Sequence, residues 1–235
     1  MIIPNIQIIV ILIKTKLMPH NLISESDKSI EYFSNFLTHL RFLKKIYNEI
    51  SPLYKSNEEH KNLVDFNKLN DISSLITICH LDLVTNSKNL YVTKSNWEKI
   101  FFIKNIFLVI YETINSYHKN SKFLKDKSEN SELVLSLFLN SNILLRDFKT
   151  NYKYDTHINK IRNKISGHIN DNFEEYYDEI INFDAEKTAL MTLDFLKIIE
   201  TIQLLLAELM KEIKFDNSKI SSEKLLKLQN ILDKL

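Results

Sequence analysis

Apolar residues recur at steps of three and four along most of the chain, the spacing of one helix face. Between Asp27 and Ile50 the apolar series is Ile30, Phe33, Phe36, Leu37, Leu40, Leu43 and Tyr47. Ser51-Pro52 closes it, because the residue before a proline avoids the α region. Asp71 is a suitable N-cap for a second helix running to Leu90. Ser95 with Glu98 three residues on has the form of a capping box, which starts a third at Trp97 and carries it to Tyr117. That helix is apolar nearly all round its middle, through Ile100, Phe101, Phe102, Ile103, Ile106, Phe107, Leu108, Val109 and Ile110, so it belongs at the centre with neighbours on several sides. Leu133 to Phe148 has the same character. An acidic amphipathic stretch follows at Phe173–Ile181, then a long helix over Glu186–Ile213 and a last one over Ser221–Leu235 behind the cap Ser222. The pattern predicts an all-α multi-helix bundle of about six or seven helices. It divides into an N-terminal part (1–68), a central helical domain (69–213) and a C-terminal helix (214–235).

The first part opens with an apolar run, Ile6 to Ile13, too short for the ~20 residues of a membrane span. It has no basic lead and no small-residue cleavage site, so neither a membrane role nor a signal peptide is expected. Its β-branched residues suit a buried strand or a packed N-terminal segment.

Composition narrows the chemistry. The 235 residues include one glycine and three prolines, against about 7% and 5% in average proteins. Loops that need several glycines, such as G-x-G-x-x-G, the Walker A loop and the G-x-S-x-G elbow, are excluded. Arginine occurs only at 41, 146 and 162, and alanine only at 185, 189 and 207. A low-GC genome produces that combined bias, so the helical assignment rests on periodicity and not on missing glycine. The formal net charge of +1 gives no global reason for a nucleic-acid or membrane partner. Cys79 is the single cysteine, which forbids an internal disulfide and fits a reducing cytoplasm.

Most chemical motifs are missing. Cys79-His80-Leu81-Asp82 reads as ordinary helix with the cysteine buried, since adjacent positions do not share a face. His39, His60 and His118 stand among polar residues and read as surface histidines. Asp171, Glu174, Glu175, Asp178, Glu179, Asp184 and Glu186 read as a solvated acidic face, with cation binding the alternative. No cofactor or metal is expected.

One segment differs: Lys160-Ile161-Arg162-Asn163-Lys164-Ile165-Ser166-Gly167-His168-Ile169. An arginine followed by a polar residue stands six positions before a histidine, and the only glycine adjoins that histidine. Between residues 149 and 168, five cations (Lys149, Lys153, Lys160, Arg162, Lys164) against one carboxylate, Asp155, leave a net charge of +4. Arg offers a permanently charged planar fork that matches phosphate oxygens, and His moves protons near neutrality. Asn163 has two uses, a hydrogen bond to the phosphate or a hold on the arginine. On a regular helix Arg162 and His168 lie about 240° apart, so they meet only across a bend, which Gly167 permits, or between two copies.

Arg162, Asn163 and His168, preceded by two long apolar helices and followed by one, resemble the R-x(4–6)-H motif of the HEPN superfamily of all-helical domains. The resemblance covers about Leu69–Ile213. It implies a HEPN-like core and a metal-independent endoribonuclease with Arg162, Asn163 and His168 catalytic. Lys160 and Lys164 would then lie on RNA phosphates. It further implies a homodimer built through the helices flanking the motif, a role in phage defence or as a toxin, and an antitoxin or other regulatory partner. HEPN toxins controlled by nucleotidyl transfer carry a tyrosine two residues after the histidine; Asn170 stands there, which counts against that control. The alternatives are a non-catalytic helical module that binds RNA, a nucleotide or a protein, and a structural role in which His168 and Gly167 end a helix while Arg162 pairs with the acidic stretch.

Overall fold

The computed structural model describes residues 19–53, 58–163 and 173–213. Among these the chain is an all-α multi-helix bundle with no strand. Its helices are α1 (Pro19–Ile50), α2 (Glu58–Val92), α3 (Asn96–Ser128), α4 (Glu132–Asn151), the single turn α5 (Asn159–Ile161), α6 (Phe173–Ile181) and α7 (Ala185–Glu212). The Ile6–Ile13 run and the Ser221–Leu235 helix lie outside the described residues. No described helix is long and apolar enough to cross a membrane.

Helix α7 is the hub, packed against α2, α3 and α4, while α1 lies along α2. Its buried positions, from Met191 through Phe195, Ile199, Ile202 and Leu206 to Leu209, recur at three or four and widen into adjacent pairs at its middle. That broad apolar face lets three helices share one partner. Asp184 caps α7, accepting from the Lys187 amide at 3.0 Å. Helix α3 brings Ile103, Ile106, Ile110, Ile114 and Tyr117 into the same core.

Helix α2 begins well before the expected start at Asp71. Asp71 is an exposed mid-helix residue that takes the Lys44 ammonium of α1 at 2.8 Å. Nothing between Glu58 and Asp71 interrupts the apolar series, and Leu63 and Leu69 continue it backward. The division at 68/69 falls inside this unbroken helix. Helix α3 likewise runs past Tyr117, because Leu124 and Ser128 prolong its buried stripe. Its start is as expected at Ser95, whose hydroxyl accepts from the Glu98 amide at 3.4 Å. The Glu98 carboxylate reaches the Thr93 hydroxyl, and Thr93 Oγ1 takes the Ser95 amide at 3.3 Å. The box therefore closes through a third residue.

Two sequence expectations about side chains reverse. His80, not Cys79, is the buried member of its pair: His80 is 1% exposed and Cys79 half-buried. His60 is half-buried, whereas His39 and His118 are exposed.

Candidate functional site

After α4 the chain turns at Lys153 (φ 50°, ψ 51°) into one wide π-type turn, Tyr154–Ile158, and then α5. Such turns are frequent at functional sites. Ile158 and Ile161 are completely buried, three residues apart, and pin this segment to the core. Asn159, Lys160, Arg162 and Asn163 are thereby left on its outer side.

Arg162 is held from three directions. Its Nε and Nη2 donate to Glu112 Oε1 on α3 at 3.2 and 2.9 Å. Its guanidinium lies 4.9 Å over the ring of Tyr111. Its Nη1 donates to Asn163 Oδ1 at 2.9 Å, and Asn163 Nδ2 donates onward to Asn159 Oδ1 at 2.6 Å. Of the two uses foreseen for Asn163, the structure has it holding the arginine. Three of the five guanidinium N–H groups are engaged, and the side chain remains 31% exposed. An ion pair this open to water is worth at most about 1 kcal/mol, so Glu112 orients Arg162 without locking it away from a competing anion.

Arg162 thus pairs, among the described residues, with a carboxylate on an earlier helix. It is Lys160 that reaches the acidic stretch, in an ion pair with Glu179 of α6. Tyr176 of α6 accepts a hydrogen bond from Lys104 of α3 at 2.6 Å, and Ile180 is buried. Among the described residues no three His, Cys, Asp or Glu side chains are grouped to hold a metal ion. Lys164, Gly167 and His168 lie outside the described residues.

The aromatic partner of Arg162 extends the site. Tyr111 stacks on Tyr154 of the π turn (5.8 Å between centroids, 10° between planes), and Lys149 of α4 sits 4.8 Å over the Tyr154 ring. Arginine, two tyrosines and lysine therefore form one ladder with a cation at each end. Burial, then the charges of Tyr111, Asp155 and Glu112, push the Tyr154 hydroxyl far above its ordinary value, with Arg162 opposing. Tyr154 is a neutral spacer at any physiological pH.

On the other side of the turn a cleft of about 490 Å³ is lined by Phe107, Tyr152, Lys153, His157, Glu179 and Lys187 among others. His157 rests edge-on against Phe107, 5.6 Å away. Burial, reinforced by Lys153 and Lys160 and opposed by Glu179, lowers its proton affinity. Tyr152 on the same rim donates to Asp194 of α7 at 2.7 Å.

Tyr111, Glu112, Tyr154 and His157 carried no signal in the sequence, because the first two stand about 50 residues before the motif and meet it only in the fold. The one available hint was that an Arg with a free planar face in a chain rich in tyrosine is a candidate for stacking. Comparison of the chain with protein-family models, with curated proteins and with solved structures finds no match.

Proposed function

We propose that the protein is a HEPN-like, metal-independent endoribonuclease that acts as a dimer, with Arg162, Asn163 and His168 as its catalytic group. The observation that carries this reading is the partly exposed Arg162 guanidinium, oriented by Glu112, Tyr111 and Asn163 while two of its N–H groups have no partner among the described residues. A positioned guanidinium of this kind suits a phosphate on which negative charge builds during reaction. In the step envisaged, a histidine takes the proton of the ribose 2′-hydroxyl. The 2′-oxygen then attacks phosphorus, and the 5′-oxygen leaves with a proton to give a 2′,3′-cyclic phosphate and a 5′-hydroxyl end. His168 is the proton carrier, Arg162 neutralises the phosphate, and Asn163 keeps the arginine in place. Lys160 and Lys164 add charge along the strand. Dimerisation through the helices flanking the motif would bring two such groups into one cleft. A toxin or phage-defence role under a regulatory partner completes the reading.

The test is incubation of purified protein with RNA in EDTA. Wild type should give fragments ending in 2′,3′-cyclic phosphate, and Arg162→Ala and His168→Ala should each lose that activity while keeping a helical circular-dichroism spectrum. Absence of cleavage by wild type, or undiminished cleavage by both variants, overturns the reading.

A second reading, a non-catalytic module that binds RNA, a nucleotide or a protein, is favoured by exposed apolar side chains. Trp97 and Phe101, one turn apart on α3, are 64% and 56% exposed, and Leu139 and Ile143 open α4 to solvent in the same way. Under that reading no RNA is cut, and His168→Ala alters binding or stability alone.

A further inference from the structure

The ladder that begins at Arg162 ends at Lys149, and Lys149 lines an open basin of about 380 Å³ with His118, Asn142, Leu145, Arg146, Thr150 and Asp155. Two helices build it by the same register. Tyr111, Asn115 and His118 follow one another at four and three residues on α3, and Asn142, Arg146 and Lys149 do so on α4. Each trio therefore shares a face. Tyr111 and His118, seven residues apart, are separated by about 10 Å along the α3 axis.

Lys149, like Lys153, differs from Lys160 and Arg162. Lys160 and Arg162 are ion-paired, whereas Lys149 has no carboxylate partner among the described residues. Its ammonium is instead located by the Tyr154 ring and by His118 Nε2 at 3.4 Å. Lysine only donates, so His118 accepts and must be neutral at that nitrogen. Burial and then the Lys149 charge lower its proton affinity in the same sense. The charge of Lys149 is thus fixed in position but left uncompensated. Arg146 adds a second cation, shared with the exposed Asp147 at 3.2 Å. Asp155 is the one carboxylate in the lining.

We infer that this His118–Arg146–Lys149 basin is a second phosphodiester subsite, which holds the backbone of the same single-stranded RNA whose scissile phosphate meets Arg162. The inference rests on the reading of Arg162 given above. Two cations joined by a rigid pair of rings suit a ligand whose anionic groups repeat along a chain. The rings are covered by each other and by the cations, so they serve as a spacer and not as a platform for bases. The subsite accordingly reads charge and not sequence.

The test is binding, not cleavage. A fluorescent single-stranded 2′-O-methyl RNA, which lacks the attacking hydroxyl, is titrated with protein in EDTA at several salt concentrations and followed by anisotropy. Lys149→Gln combined with Arg146→Gln keeps the side-chain stems and should raise Kd roughly tenfold. The combined change should also flatten the slope of log K against log salt by about 1.4, two contacts at roughly 0.7 each. Asp155→Asn should tighten binding. Arg162→Ala, at the other end of the ladder, should weaken it separately. If the double variant keeps the wild-type Kd and slope while Arg162→Ala weakens binding, the subsite is refuted and the reading of Arg162 stands. If wild type binds no RNA, both fall together.

Discussion

His80 is the most consequential buried titratable group in the bundle. It stands on α2 at the interface with α1, 1% exposed, with Ser29 Oγ 3.1 Å from its Nε2 and the Phe33 ring tilted against it at 3.9 Å. Its Nδ1 has no hydrogen-bond partner among the described residues. Burial alone lowers its pKa from 6.5 to about 4. The native state therefore carries His80 neutral, whereas an unfolded chain protonates it near pH 6.5. The unfolded state binds the extra proton, so native stability is unaffected above pH 6.5 and falls progressively as pH drops toward 4. At about 1.4 kcal/mol per unit, a shift of roughly two and a half units corresponds to about 3 kcal/mol lost across that window. His80→Phe removes the titration while keeping a ring beside Phe33. Urea unfolding followed by circular dichroism from about pH 7.5 to about pH 4.5 gives the stability of both proteins. Subtracting one curve from the other cancels His118, His157 and the carboxylates. The difference should grow in favour of the variant by about 2–3 kcal/mol toward the acid end. Parallel curves would refute the argument, whatever the constant offset caused by the lost Ser29 contact.

Two further outcomes test the architecture. Phe195 is completely buried on α7 and packs on Phe148 at 5.0 Å. Phe195→Ala should cost about 3–5 kcal/mol in urea unfolding, and a cost below about 1 kcal/mol would mean that α7 is not the hub. Asp184→Ala removes the α7 cap and should cost about 1 kcal/mol, whereas Asp184→Asn, which keeps the accepting oxygen, should cost much less.

The sequence made the helices readable wherever the apolar stripe stood alone. Phe173–Ile181 is helical and ends at Ile181 as expected, because its acidic residues leave a single apolar edge. Starts and ends failed where the stripe ran on past a residue that looked like a cap. Asp71 has every property of an N-cap except an interruption before it, and local chemistry does not outweigh three preceding turns that are already amphipathic. The near-continuous apolar pattern of α4 did not imply burial on all sides, since Leu133 and Leu139 stand in solvent. At the candidate site, Arg162 and Asn163 were legible as neighbours that could meet, and so was the choice facing Asn163. The partners were not. Glu112 and Tyr111 reach Arg162 only because α3 passes beneath the π turn, a tertiary fact that no spacing within the motif contains.

The turn at Lys153 places that whole surface. A left-handed conformation costs a residue with a side chain roughly 1–2 kcal/mol, and glycine would escape it. In a chain with a single glycine, at 167, a lysine takes this turn instead. The scarcity of glycine, whatever its genomic origin, is therefore felt as stored backbone strain at the joint between Lys149 and Arg162. The two ends of the ladder stay in register because the core holds Tyr154, Ile158 and Ile161 more tightly than that strain can release.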